Sequence, residues 1–344
     1  MLIKKISTAL ILIGGALLSV QASAASASPW CSSGKTVNFA GLNWESGALL
    51  TAVMRDVVER GYGCKTDAMP GNSVAMEVAL SKNDIQVFAE EWIGRSDIWN
   101  DAAKAGKVVG AGHVIKGAAE GWFVPEYVVK GDAARNIKAS APGLKSVADL
   151  PQYKNLFIDE EEPGKGRFLN CPTGWTCAGI NSQKMKAYKL LDSYVNFRPG
   201  TGPALDSAIA SAVQRGKPVL FYYWNPTALM GRYKFIRLEE PAYTKACWDT
   251  LSDQNNNKPC GTAFPEVEIQ VGLSRSFHDA DPVLAALFSK INMPLDVLNK
   301  LLAEQQQQKS SAKTLSLAFL KTYPAIWQDW VPADVAEKIT ASLK

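Results

Sequence analysis

The sequence predicts an α/β fold of two doubly wound lobes, and three observations carry the prediction. Apolar strand-like runs alternate with helical stripes in two successive stretches of the chain. The N-terminus has the form of an export signal, and no later stretch is apolar for long enough to span a bilayer. The C-terminal part reads as helix after helix, and 344 residues suffice for two hydrophobic cores.

The leader comes first. Lys4 and Lys5 precede an apolar run from Leu10 to Val20, and Ala22-Ser23-Ala24 has the small-x-small form of a cleavage site, with Ala25-Ser26-Ala27 as a second candidate. Residues 1–24 are therefore read as a cleaved signal peptide and the mature chain as periplasmic. Cys31 does not stand at the cleavage point, so no lipoprotein is read. Without Lys4 and Lys5 the 37 basic residues become 35 against 33 acidic, net +2, and no basic cluster is interleaved with aromatics, which excludes a nucleic-acid partner. All six cysteines lie in the exported part, where disulfides are favoured. Spacing alone does not choose their connectivity; nearest-neighbour pairing, Cys31–Cys64, Cys171–Cys177 and Cys247–Cys260, is the simplest. No pair has C-x-x-C spacing and the chain has two histidines, His113 and His278, so no metal site or other cofactor is expected.

The elements follow in order. Residues 36–42 form a strand, and Ala48, Leu49, Ala52, Val53, Val57 and Val58 form a helical stripe that stops at Gly61 and Gly63. Strands are expected over 64–69 and 85–88, with a short helix over 74–80 between them. The theme recurs as a strand at 156–158, a helix at 183–191, a strand at 194–198, a helix at 204–213 ended by Gly216, and a strand at 219–223. Helices then occupy 282–291, 295–304 and 312–320, with the polar stretch 305–311 as a solvated helix end or loop. This order places a first lobe in 25–120 and 272–344 and a second in 121–271, in the manner of a bilobed, type II-like periplasmic binding protein with a two-strand hinge.

In such α/β lobes ligands sit beyond the C-terminal ends of the strands. Those ends carry Asn43-Trp44-Glu45-Ser46, Glu90-Glu91-Trp92-Ile93-Gly94-Arg95, the loop CPTGWTC at 171–177, and Tyr222-Tyr223-Trp224. Trp92, Trp175 and Trp224 are the leading candidates for a binding cleft, with Trp44 and Trp122 behind them. Trp30, Trp99, Trp248, Trp327 and Trp330 are read as core. Several indole faces in one cleft suit a quaternary ammonium, which has no N–H to donate and binds best to ring quadrupoles. Glu90, Glu91 and Glu45 have two readings, solvated at the rim or turned inward as partners for a hydroxyl or a second cation. The acidic run 159–162 lacks the spacing of a calcium loop and is read as surface.

The segments CPTGWTCAG (171–179), FYYWNP (221–226), GAAEGWFVP (117–125), SVADL (146–150) and FLKTYPAIWQDWV (319–331) resemble those of the periplasmic glycine betaine-binding proteins of ABC osmoprotectant importers. The resemblance runs from about residue 36 to the end of the chain. It implies a cage of Trp92, Trp175 and Trp224 around the cation, and a ligand carboxylate held by the backbone N–H groups of Thr176 and Cys177. It also implies a monomer that delivers its ligand to an ABC permease with a cytoplasmic ATPase, and no catalysis. One branch of the family has a histidine four residues after the first cage tryptophan. Ser96 stands there in this chain, with Arg95 beside it as a possible replacement.

The sequence leaves two other readings open. A binding protein for choline, carnitine or a cationic amino-acid derivative would use an inward Glu90 or Glu91. An exported enzyme acting on such a compound would need chemistry that the chain does not advertise, since it has neither a Gly-x-Ser-x-Gly elbow nor a histidine-rich metal site.

Overall fold

The computed structural model describes residues 27–344, and in them the alternation resolves into two five-stranded sheets. The expected leader, 1–24, lies outside the described residues. The strands are β1 (Val37–Leu42), β2 (Thr66–Gly71), β3 (Val87–Trp92), β4 (Val108–Ile115), β5 (Ala119–Pro125), β6 (Gly166–Leu169), β7 (Tyr194–Phe197), β8 (Leu220–Asn225), β9 (Phe235–Arg237) and β10 (Ile269–Ser274). The first sheet has the order β2-β1-β3-β10-β4 and the second β7-β6-β8-β5-β9. Each is parallel at one side and antiparallel at the other: β10 runs against β3 and β4, and β5 runs against β8 and β9. The chain passes between the sheets twice, through 116–118 and again just before Ile269. Residues 119–120 therefore belong to the second sheet and 269–271 to the first, a small shift from the expected boundaries.

Each sheet is buried by helices on both faces, and each lobe has its own core. In the first, Phe39, Val53, Met54 and Val57 pack with Phe288, Phe319 and Trp327; in the second, Phe168, Leu205, Ile209 and Phe221 pack around Trp122. Burying each of these large apolar side chains contributes about 1.5–3 kcal/mol. The helix Glu45–Tyr62 ends where the stripe predicts, because Gly63 takes a left-handed φ of 71° and closes the last turn through its N–H. Among the described residues no helix is long and apolar enough to cross a membrane.

Three expectations are corrected. Residues 156–158 form no strand: Ile158 is exposed and makes a single bridge to Gly166, and the strand of the sheet is β6. The glycine that begins β6 lies under the Tyr194 ring, where a Cβ would come within 2.4 Å of it. The next helix spans Thr176–Ala187 and starts inside the cysteine loop, two turns earlier than expected. Its buried face includes Asn181, Gln183 and Lys184, so it has no apolar stripe to read. The polar stretch after 304 is a helix end as expected, helical as far as Gln308, where Lys309 turns left-handed at φ 52°. The acidic run is also not wholly surface: Asp159 is buried against Arg167, while Glu160, Glu161 and Glu162 are exposed.

The helix Glu45–Tyr62 is tied to the C-terminal helices by one buried carboxylate. Asp56 accepts from Lys313 Nζ at 2.6 Å, Ser316 Oγ at 2.7 Å and Arg60 Nε at 3.1 Å. Asp56→Ala is expected to destabilise the protein by about 3 kcal/mol, because it strands these donors and leaves a void. Urea unfolding should show the loss as a lower midpoint, with ligand affinity of the surviving folded protein unchanged.

Candidate functional site

The two lobes meet over a cavity of about 450 Å³, part of it open to solvent. The first lobe contributes Trp44, Ser73, Trp92 and Arg95, and the second contributes Glu120, Trp175, Thr176, Cys177, Tyr222 and Trp224. Trp175 meets Trp44 edge-on at 5.7 Å between ring centroids, and meets Trp224 likewise at 5.4 Å, so successive indoles form corners rather than a stack. Trp92 comes from the last residue of β3 and Trp224 from near the end of β8, where strand alternation turns both toward the gap between lobes.

The cysteine loop sets the position of Trp175. Cys171 and Cys177 are bonded, as are Cys31 with Cys64 and Cys247 with Cys260. Between the first two, Gly174 has φ +89°, and a Cβ there would lie 2.4 Å from the Asn72 side chain. Only glycine permits both that conformation and that approach to the first lobe. The loop then docks across the gap: Val74 N–H donates to Gly174 O at 3.3 Å, Thr176 N–H to Ser73 Oγ at 3.2 Å, and Trp175 Nε1 to Asn43 Oδ1 at 2.8 Å. Cys177 is the second residue of the helix that follows, so its N–H has no intrahelical acceptor, and the residue lines the cavity at the positive end of the helix.

At the other end lies a charged group. Arg95 pairs with Glu120 and donates from Nη2 to Pro265 O at 3.2 Å. Glu120 also accepts from the Tyr222 hydroxyl at 2.5 Å. The guanidinium lies 4.9 Å above the Trp248 ring, in cation–π contact, and Trp248 Nε1 bonds Gly94 O at 3.3 Å. Arg95 Nε and Nη1 are buried without a hydrogen-bond partner among the described residues, so two donor groups remain for an acceptor. Behind Glu120, Lys184 is paired with Glu240, and burial pulls its ammonium down to about 8.

The expected site residues separate accordingly. Trp44, Trp92, Trp175, Trp224, Thr176, Cys177 and Arg95 line one cavity. Trp122 does not: it is fully buried in the second lobe, packed at a tilt against Phe168 with ring centroids 4.2 Å apart and bonded through Nε1 to Asn181 Oδ1 at 2.8 Å. Glu120, two residues before on the same face of β5, stands at the start of the strand and reaches the cavity, whereas Trp122 lies one pleat deeper in the lobe, beside Tyr188. Glu91 is not at the cavity either. It is buried on the opposite face of β3, where desolvation and the neighbouring Glu77 carboxylate push it well above the usual range. Ser96, at the position of the family histidine, turns away to bond Glu77 and to cap the helix Asp97–Lys104. Glu45 lines an adjoining cavity of about 620 Å³ with Asp206, on the other side of Trp44, Trp175 and Trp224. Burial raises both carboxyls, Asp206 to about 7. Glu120, Ser73, Tyr222 and Trp248 were not found from the sequence. Tyr222 and Glu120 adjoin segments that were singled out, and strand alternation beside Trp224 and Trp122 was the available signal.

The family model described as the substrate binding domain of ABC-type glycine betaine transport systems matches residues 35–322. A glycine betaine-binding periplasmic protein of Dickeya dadantii is 22% identical over 263 residues, 74% of this chain and 76% of the relative. A glycine betaine/proline betaine-binding periplasmic protein of Salmonella typhimurium is 23% identical over 240 residues, 68% and 69% of the two chains. Among solved structures, a choline-binding protein of an ABC transporter in complex with choline superposes with TM-score 0.72 at 16% identity, covering 90% of this chain and 98% of that one. A glycine/betaine/L-proline-binding protein from Borrelia burgdorferi gives TM-score 0.71 at 16% identity, covering 89% and 100%. The two structures share the bilobed fold.

Glu77 and Glu91 generate a stability prediction. Burial raises Glu77 to about 7 and Glu91 well above its usual value, so over that range the folded state holds more protons than the unfolded one. Stability therefore falls as pH rises from the ordinary carboxylate range through about 7. Glu91→Gln should raise the melting temperature at about pH 8 and change it little at about pH 5, with ligand affinity unaltered. Thermal scans at the two pH values, with a titration at each, check this.

Proposed function

The chain belongs to the substrate-binding family of ABC-type glycine betaine transport systems, and on that premise we propose that it captures a quaternary ammonium osmolyte in the periplasm and delivers it to an ABC permease driven by a cytoplasmic ATPase. One observation carries the reading: tryptophans from both lobes converge on a single cavity whose far end offers unpaired cationic donors. Each indole face contributes about 0.5–2 kcal/mol to a cation. Four of them, less the cost of association, are consistent with roughly micromolar binding.

The ligand we assign is a carboxylated betaine such as glycine betaine. Its trimethylammonium group fills the space between Trp44, Trp92, Trp175 and Trp224. Its carboxylate accepts from the Cys177 N–H and from Arg95. With residues of both lobes on the ligand, binding stabilises the closed arrangement of the lobes, and that closed form is what a permease recognises. Glu120 supports a second reading. A carboxylate at the cavity accepts a hydroxyl, which favours choline or carnitine.

Competition calorimetry with glycine betaine, carnitine and choline decides between them. Glycine betaine is expected to bind more tightly than choline, and Glu120→Gln to widen the gap. Choline binding best, with its affinity lost in Glu120→Gln, would establish the second reading. Separately, a Cys171→Ser/Cys177→Ser variant should bind glycine betaine about tenfold more weakly. Its melting temperature should fall only modestly, because closing so short a loop contributes about 2–3 kcal/mol at most. Unchanged affinity would show that the staple does not position Trp175.

A further inference from the structure

Behind two walls of the cavity sits a carboxylate that does not itself line it. Glu90 is fully buried, and its Oε1 accepts from Trp44 Nε1 at 2.9 Å and from Trp92 Nε1 at 3.0 Å. Trp44 follows β1 and Trp92 ends β3, so one oxygen fixes indoles delivered by two strands. Its Oε2 has no formed hydrogen bond, and the groups acting on the carboxyl, Ser46, Trp92 and Trp44, are all uncharged. A carboxylate so placed is a buried anion with no cation of its own, next to a space shaped for one.

Resting on the cage reading above, we propose that Glu90 is the positioning residue and counter-charge of that cage: it orients Trp44 and Trp92 and supplies the anion that the ligand's quaternary ammonium neutralises. Two effects act together. An indole whose N–H donates to a carboxylate carries more electron density on its faces, which strengthens cation–π attraction. The charge itself acts directly through a poorly solvated region. With Arg95 at the far end, the site then presents a dipole opposed to that of a zwitterion.

Burial pushes Glu90 up to about 7, against the hydrogen bonds of Ser46, Trp92 and Trp44, which favour its ionised form. A bound cation favours the ionised form, so cation affinity rises with pH through that range. Other charged groups nearby are turned elsewhere: Glu91 packs against Glu77 across the strand, Arg95 pairs with Glu120, and Glu45 bonds Gln306 at the adjoining cavity. Burial also raises Asp206 in that cavity to about 7, so the contribution of Glu90 is the difference between wild type and a Glu90 variant.

The test is calorimetry of glycine betaine and of its uncharged-head carbon isostere, 3,3-dimethylbutanoate, against wild type, Glu90→Gln and Glu90→Ala at about pH 6 and about pH 8. Glutamine keeps an oxygen for both indoles and removes the charge. Glu90→Gln is expected to lose about tenfold in betaine affinity with the isostere unchanged, and to lose the rise with pH seen in wild type. Glu90→Ala is expected to weaken both ligands. Betaine affinity in Glu90→Gln equal to wild type, or equal losses for both ligands, overturns the counter-charge. If the isostere binds too weakly to measure, an unchanged pH slope in Glu90→Gln overturns it. Wild type that binds no betaine would overturn the ligand reading instead, and this inference with it.

Discussion

Trp175 is held between the lobes, and the rest of the cavity depends on that placement. A quaternary ammonium offers no N–H, so its site must be made of π faces and charge, and neither adapts by rotating a hydroxyl. The indole must therefore be fixed beforehand. The disulfide shortens the loop, Gly174 admits the turn and the approach to Asn72, and the Asn43 bond sets the ring's orientation. The edge-on contacts with Trp44 and Trp224 then define two corners of the box. Because Asn43, Ser73 and Trp44 belong to the first lobe while Trp175 and Trp224 belong to the second, the box is complete only when the lobes are together.

The charges are arranged so that each has a reason to be buried. Arg95 crosses from the first lobe to Glu120, rests on Trp248 and keeps two donor groups unpaired. Lys184 and Glu240 neutralise each other behind it. The net effect is a polar end whose positive charge is tempered, and an aromatic end backed by Glu90. Breaking a buried pair by removing one partner is costly, so each of these residues holds its partner in place.

Much of this was legible in the sequence, and the misses share a cause. The alternation of strands and helices, and the tryptophans at strand ends, follow from periodicities of 2 and 3.6 that survive in the bare chain. The helix Thr176–Ala187 was mislocated because its inner face is polar, with Asn181 bonded to Trp122 and Asn170. Trp122 and Glu120 share one face of β5, and the sequence marks the aromatic without saying how far along the strand the gap reaches, which is only to Glu120. An ambiguity of face hides the difference between Glu90 and Glu91, adjacent in sequence and on opposite sides of β3. Trp248 reads as core by itself; only Arg95, far away in sequence, makes it the floor beneath a charge.

On the proposed function, a quaternary cation occupies the space among the four tryptophans. Arsenobetaine, the arsonium counterpart of glycine betaine, makes that directly visible, because arsenic scatters anomalously. A crystal of the protein saturated with it should give one strong anomalous peak enclosed by Trp44, Trp92, Trp175 and Trp224, with the carboxylate toward Arg95 and the Cys177 N–H. A peak in the adjoining cavity beside Glu45 and Asp206, or no ordered peak in a crystal of saturated protein, would contradict the account.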